Sequence, residues 1–269
     1  MKKAVSRVYL TLIYIFLYAP ILLLVVFSFN DTDTKSRTVW SGFSLRWYEM
    51  LFQDRMLLEA LKNTLIIAVC AALGATVLGT VAAIGINSMK GWRKKLVMNV
   101  TNLPMLNPEI VTGVSLMLLM VFVANLFGIS LGMGSIILAH ITFCLPYVIL
   151  SILPKLGQMD PHLYEAAQDL GCTPLRSFFK VVMPEIMSGV ITGMVMAFTL
   201  SLDDFIISYF CSGTTQTLPV YIYSMTKKRI SPEINALSTL LFAVILVLLL
   251  IINIRQGRMG KKEEKEADV

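Results

Sequence analysis

The sequence predicts an all-α membrane protein that crosses the bilayer six times. The chain is 56% apolar and only 15% charged, with a mean hydropathy of +0.73, which is far too apolar for a soluble domain. Several apolar runs also approach the roughly 20 residues that a helix needs to cross the hydrocarbon core. The six predicted helices cover about residues 8–29, 63–88, 100–125, 134–154, 187–209 and 233–254.

The first apolar run is predicted to remain in the membrane as a span. Val8 to Phe29 is longer than the apolar part of a secretory signal, and the polar run Asn30-Asp31-Thr32-Asp33 follows it instead of a small-residue cleavage site. The next stretch, about residues 30–62, combines aromatic and charged side chains, which predicts an amphipathic segment anchored at the membrane interface. Its aromatic residues include Trp40, Trp47 and Tyr48.

The second and third spans carry different signals. Alanine and glycine recur along residues 63–88, which predicts close packing against another helix. Pro104 and Pro108 open the third span, and two prolines four residues apart should break the backbone hydrogen bonds just inside the membrane. Glu109 follows this break, so its carboxylate either lines a cavity or reaches the cytoplasmic interface.

The fifth span reaches two adjacent carboxylates, Asp203 and Asp204, roughly 24 Å along the helix from Met187. On a helix these side chains point about 100° apart, so both cannot face lipid. At least one should face a wet cavity, a partner subunit or a cation. In the alternative, Ser201 or Asp203 caps a broken helix and the other carboxylate pairs with an arginine across a subunit contact. We favour the cation pathway.

Catalytic, metal and cofactor motifs are missing from the sequence. The sequence contains no GxxxxGK[ST] phosphate loop, no HExxH and no GxSxG motif. The chain is therefore predicted not to be an enzyme and to lack an ATPase site of its own. The four cysteines have no metal-ligand spacing, and neither a metal site nor a cofactor is expected. His140, alone in the fourth span, is expected to be a hydrogen-bonded packing residue.

The basic residues predict the topology. Of 23 lysines and arginines, 15 fall on the side that holds both termini, and the positive-inside rule makes that side the cytoplasm. Their positions beside membrane spans, without interleaved aromatic residues, argue against nucleic-acid binding. Residues 1–254 are thus a membrane domain with a cytoplasmic loop at 155–186, and 255–269 are a charged tail. Three basic residues do not fit this topology: Lys227, Lys228 and Arg229.

The cytoplasmic loop is predicted to be two short helices joined at Gly171. Asp160 with Pro161, and Thr173 with Pro174, are typical helix starts, and a glycine suits the left-handed turn between helices. Pro184 is expected to close the unit. Each short helix has an apolar face, which predicts a contact with another protein. The apolar positions are Leu163, Ala166, Ala167 and Leu170, then Leu175, Phe178, Phe179 and Val182.

The loop resembles a known family motif. Glu165-Ala166-Ala167, three residues, Gly171, nine residues and then Val181-x-Met183-Pro184 is similar to the EAA loop of bacterial ABC-importer permeases, with valine and methionine in place of isoleucine and leucine. The resemblance implies a type I ABC-importer permease fold. It also implies that Glu165, Ala166, Ala167 and Gly171 belong to a coupling helix that docks in a groove of an ATPase subunit.

Shorter motifs along the chain resemble the second permease subunit of spermidine/putrescine importers. That likeness implies a complex in the bacterial inner membrane with a sister permease, two ATP-binding subunits and an extracytoplasmic polyamine-binding protein. For such a substrate, the carboxylates at membrane depth, Asp203, Asp204 and Glu109, are the candidate polyamine path. The motifs are Ser28-Phe-Asn30, His140 to Tyr147, Ser201-Leu-Asp-Asp204, and Ile222 to Met225 with Ser231 to Ala236.

Other functions remain open at this point. One is a permease for another organic cation or small solute, and another is a self-contained secondary transporter with Asp203 and Asp204 as ion ligands. A third, an intramembrane enzyme, lacks a paired nucleophile and base. The sequence does not separate spermidine from putrescine.

Overall fold

The computed structural model describes residues 2–31, 40–128, 130–160, 162–228, 233–244 and 246–247. Apart from an isolated antiparallel bridge between Asn30 and Phe43, the regular structure in these ranges is helical, which confirms the all-α prediction. The helices are α1 (Lys2–Phe27), α2 (Arg46–Gln53), α3 (Arg55–Ser88), α4 (Gly91–Leu106), α5 (Glu109–Phe127), α6 (Met133–Gln158), α7 (His162–Asp169), α8 (Pro174–Ser177), α9 (Met183–Asp203), α10 (Ile206–Cys211), α11 (Leu218–Lys228) and α12 (Glu233–Val244).

Five of these helical stretches are long and apolar enough to cross a membrane: Tyr9–Phe27, Arg55–Ser88, Glu109–Phe127, Met133–Gln158 and Pro174–Asp203. They correspond to the first five predicted spans. The sixth, predicted over residues 233–254, is represented by the shorter apolar helix α12, and its last residues lie outside the described part of the chain. The charged tail, 255–269, and Arg229 also lie outside it.

The third predicted span, 100–125, is wrong as a single helix. Helix α4 ends at Leu106, and Asn107 adopts an extended conformation (φ −76°, ψ 143°) before α5 begins at Glu109. The cause is Pro108, because a proline disfavours the helical conformation of the residue before it. Pro104 lies inside α4, so the predicted break occurs at only one of the two prolines.

The fifth span also has bounds different from those predicted. Pro184 does not close the pair of short helices, because a π-helical turn (Phe178–Val182) joins α8 directly to α9. Pro184 lies in the first turn of α9, where a missing backbone N–H is tolerated. At the other end, α9 stops at Asp203 and the chain resumes as the short helix α10 at Ile206.

Glu59–Tyr221 form one compact unit, and the packing of α6 against α9 lies at its centre. The two helices are antiparallel, with Ser151 beside Gly189 and Cys144 beside Ala197. Small residues on α3 allow an equally close approach to α6: a Cβ added to Gly79 would meet the Val148 side chain at 2.6 Å. The predicted packing role of the small residues in the second span is therefore confirmed.

The other unit consists of residues 1–58 and 222–269, of which the described part includes a small aromatic cluster. The indole N–H of Trp47 donates to the backbone carbonyl of Asn30 at 2.9 Å, and Trp47 is buried. The Phe29 ring lies 5.4 Å from that of Phe43 and 5.3 Å from that of Tyr48. Trp47 thus holds the loop after α1 together, whereas Trp40 is exposed, and the interfacial anchoring expected of this segment stays a prediction.

We expect Gly189→Ala to destabilise the unit by about 1–3 kcal/mol, as is typical of an overpacked core. The new Cβ would lie 2.8 Å from the backbone oxygen of Ser151 and 3.2 Å from Cα of Ile152, and backbone atoms cannot rotate away. The matched control is Gly85→Ala in α3, where nothing lies within 4 Å of the added Cβ. The melting temperature of the detergent-solubilised chain should fall only for Gly189→Ala, and equal melting temperatures would contradict the packing described here.

Candidate functional site

The break between α9 and α10 separates the two adjacent aspartates. Asp203 is the last residue of α9, whereas Asp204 is extended (φ −64°, ψ 117°) and no longer helical. Oδ2 of Asp204 accepts a hydrogen bond from the backbone N–H of Ser208 at 2.9 Å. This bond satisfies one of the free N–H groups at the start of α10. A broken helix with a carboxylate cap was the predicted alternative, but the capping residue is Asp204 instead of Ser201 or Asp203.

His140 on α6 contacts both helices that flank the break, α9 and α10. Nδ1 is 2.6 Å from the Ser201 hydroxyl on α9, and Nε2 is 3.3 Å from the Ser208 hydroxyl on α10. Nε2 also lies 3.4 Å from Oδ2 of Asp204. His140 and the Asp204 side chain are 1% and 7% exposed, so these contacts are sheltered from water. His140 is therefore a hydrogen-bonded packing residue, as predicted.

Asp203 differs from Asp204 because it is exposed in this chain. The prediction that two carboxylates point about 100° apart on one helix is wrong, since only Asp203 is helical. Asp203 lies at the carboxyl end of α9, where a helix presents partial negative charge. The break therefore offers one open carboxylate and one that is turned into the protein.

Glu109 approaches the same break from another helix. It is the exposed first residue of α5, and α5 packs on α10: a Cβ on Gly113 would lie 3.0 Å from the side chains of both Ile206 and Phe210. The negative charges of Glu109 and Asp204 both repel the carboxylate of Asp203. The structure does not decide between a cavity and the membrane interface as the surroundings of Glu109, so both readings stay predictions.

The three predicted path residues are thus brought together by two helix breaks. Tyr147 on α6 is close enough to Glu109 to interact electrostatically with its carboxylate. The sequence did not predict Tyr147 as part of the site. In the described ranges, no group of three or more His, Cys, Asp or Glu side chains is placed to hold a metal ion.

The loop at 155–186, which the sequence places in the cytoplasm, forms the predicted helix-glycine-helix. Gly171 has φ +84°, a left-handed conformation that favours glycine, and its N–H bonds to the Gln168 carbonyl at 2.8 Å. Oδ1 of Asp160 accepts the N–H of His162 at 2.9 Å and caps α7. Thr173 precedes α8 without a side-chain capping bond, so the second predicted start rests on Pro174 alone. Pro161 lies outside the described residues.

Of the two alanines of the predicted motif, Ala166 is exposed and Ala167 is buried. Glu165 is 76% exposed, with Oε2 3.7 Å from Nδ1 of His162, and Ala166 is also exposed. Ala167 is buried, and α7 packs against the π-helical turn. Several large apolar side chains of the same loop are also exposed in the described part of the chain. This exposed apolar patch comprises Leu163, Leu170, Leu175 and Phe179.

The sequence did not predict that His140 contacts Asp204 and the serines on either side of the break. Ser201 and Ser208, its partners, are 61 and 68 residues away along the chain. The available signal was local: an aspartate followed by a short apolar helical run is typical of an N-terminal helix cap, which would have marked Asp204.

Comparisons with known proteins agree on one family. Residues 75–263 match the family model described as "Binding-protein-dependent transport system inner membrane component". The chain is 43% identical over 243 residues to the putrescine transport system permease protein PotI of Escherichia coli K12, covering 88% of this chain and 85% of that protein. It is 38% identical over 243 residues to the spermidine/putrescine transport system permease protein PotC of the same strain, covering 90% of each chain.

Solved structures share the fold at lower identity. A crystal structure of a bacterial ABC transporter involved in the import of the acidic polysaccharide alginate contains a chain that is 18% identical, with a TM-score of 0.72 and 95% of each chain covered. An inward-facing MetNI methionine ABC transporter contains a chain that is 19% identical, with a TM-score of 0.60 and coverage of 78% and 96%. The predicted fold class is therefore confirmed.

Proposed function

Because this chain belongs to the family of binding-protein-dependent transport system inner membrane components, we propose that it passes polyamines from a binding protein into the cytoplasm as a permease subunit of an ATP-driven importer. The chain is a multi-pass protein of the bacterial inner membrane. The substrate class is supported by its similarity to permeases named for putrescine and spermidine. The observation that carries the proposal is the meeting of Glu109, Asp203 and Asp204 at two helix breaks.

The charges of this site suit a polyamine. A carboxylate within a membrane protein is costly unless it meets water, a partner or a cation. Glu109 and Asp203 are both exposed in this chain and repel each other, so a bound cation relieves the cost of placing them together. A polyamine carries two or three ammonium groups along a flexible chain and can contact both carboxylates at once. Each contact at about 4 Å contributes on the order of 4 kcal/mol of attraction at an intermediate effective dielectric constant.

Energy for import comes from other chains in this proposal. The sequence has no phosphate loop, so ATP is hydrolysed by two ATP-binding subunits, and a sister permease completes the membrane path. The cytoplasmic loop, 155–186, is the coupling element. Glu165 and Ala166 contact the ATPase, while Ala167 and Gly171 maintain the shape of the loop. An extracytoplasmic polyamine-binding protein delivers the substrate, and membrane lipid is the other partner.

In the reconstituted transporter, Asp203→Asn and Glu109→Gln should each raise the KM for spermidine uptake by about tenfold, or about 1.4 kcal/mol, because each removes one negative charge. The control is Glu185→Gln, an exposed carboxylate in the first turn of α9 and far from the break. Uptake of radiolabelled spermidine, with putrescine and a monovalent organic cation as competitors, measures both the KM and the substrate class. An unchanged KM in both variants would show that the path lies elsewhere.

A further inference from the structure

We propose that His140 is a positioning residue for substrate binding: it holds Asp204 inside the helix break and so fixes the spacing between Asp203 and Glu109. This inference rests on the proposed function, because it assumes that Asp203 and Glu109 meet the substrate. His140 itself is buried and touches no open part of the path. Its effect on transport is therefore indirect, through the two helices that it joins to its own.

The first step is the assignment of unequal roles to the two aspartates. Oδ2 of Asp204 accepts the N–H of Ser208 and lies 3.4 Å from Nε2 of His140, with the side chain 7% exposed. A carboxylate only accepts hydrogen bonds, so the ring nitrogen facing it carries the hydrogen, and Nδ1 then accepts the hydrogen of the Ser201 hydroxyl. Asp204 is thus used within the protein, and Asp203 is the open carboxylate of the pair.

The second step connects the histidine to the spacing of the open carboxylates. Through Ser201 and Ser208, His140 on α6 holds the end of α9 to the start of α10. Asp203 is the last residue of α9, and α10 packs on α5, which begins at Glu109. A change at the histidine therefore moves the end of α9, which carries Asp203, and the start of α10, which packs on the helix that begins at Glu109. The separation of these carboxylates decides which polyamine can contact both.

Two substitutions separate the two sides of the imidazole. In His140→Gln the amide nitrogen can take the place of Nε2, which faces Asp204 and Ser208. In His140→Asn the amide oxygen can take the place of Nδ1, which accepts from the Ser201 hydroxyl, and nothing replaces Nε2. We expect His140→Gln to keep a KM for spermidine close to that of wild type. We expect His140→Asn to raise it about tenfold, equivalent to about 1.4 kcal/mol, and to change the ratio of the spermidine and putrescine KM values.

The matched control is Ser151→Ala. Its hydroxyl also joins α6 to α9, donating to the Gly189 carbonyl at 3.1 Å, but it lies eleven residues along α6 from the break. This variant should lower the melting temperature without changing the ratio of KM values, as a purely structural contact would. The measurements are uptake into proteoliposomes containing the complete transporter and the melting temperature of the purified complex.

The inference is overturned if His140→Gln and His140→Asn give the same KM and the same ratio, whether raised or unchanged. If neither variant assembles, Ser208→Ala provides the test. It removes the hydroxyl that contacts Nε2 and keeps the backbone N–H that donates to Asp204. An unchanged ratio in that variant likewise overturns the inference. A wild-type KM in Asp203→Asn is a different result and contradicts the proposed path itself.

Discussion

The Ala166→Glu variant is expected to lose ATP-driven uptake while folding and inserting like the wild-type chain. Ala166 is exposed in the same loop as the apolar patch of Leu163, Leu170, Leu175 and Phe179, which the described part of the chain leaves uncovered. If an ATPase subunit covers that surface, the new carboxylate is buried at the contact without a partner. An unpaired charge at an interface costs roughly 2–5 kcal/mol, so the affinity for the ATPase should fall by about two orders of magnitude.

The adjacent alanine supplies the matched control. Ala167 is 8% exposed and faces the π-helical turn, so Ala167→Glu should destabilise the chain itself and lower its melting temperature. Co-purification of the ATPase, the melting temperature and ATP-driven uptake separate the two outcomes. Glu165→Ala should have a smaller effect on uptake, since this side chain is 76% exposed and has only an exposed histidine nearby. Normal co-purification with Ala166→Glu would contradict the assignment of this surface.

The membrane spans were predictable because they follow from composition and length. The fourth span, predicted over 134–154, lies inside α6, and the small-residue packing predicted for the second span recurs in the contact between Gly79 and Val148. The helix starts were less predictable. Helix α3 begins at Arg55, where polar residues lower the hydropathy but not the helical preference, so a hydropathy window places the start too late.

The broken fifth span shows why the site was only partly predictable. Hydropathy continues through Phe205 to Phe210, so the sequence reads as one span with two carboxylates in it. The Asp204 cap of the N–H of Ser208 is local and has a sequence signal, but the contacts of His140 with both sides of the break do not. Tertiary contacts of this kind join residues more than 60 positions apart, and no local pattern encodes them. Similarly, helical periodicity identified the apolar face of α7 without revealing that Ala167 faces inward and Leu170 faces outward.

This chain alone, reconstituted in liposomes, is expected to show no polyamine uptake under a proton or sodium gradient, and uptake should appear only with the sister permease, the ATPase subunits, the binding protein and ATP. None of the first apolar span, Tyr9–Phe27, and only 11% of Glu109–Phe127 are buried, against 50% of Met133–Gln158. Glu109 begins one of these exposed helices and is itself exposed, so the described part of the chain leaves the candidate path open. A secondary transporter has to close its own path around the substrate, whereas a permease subunit can share that task with a sister subunit.

The comparison is made by measuring labelled spermidine accumulation in both preparations, with Asp203→Asn as the specificity control. In the complete complex, ATP-driven accumulation should be large, and the variant should require a higher substrate concentration, because one charge at the break has been removed. Saturable uptake by this chain alone that depends on an ion gradient and is lost in Asp203→Asn would instead establish a self-contained secondary transporter. That result would assign Asp203 to ion coupling, and the exposed patch around Ala166 would then need a partner other than an ATPase.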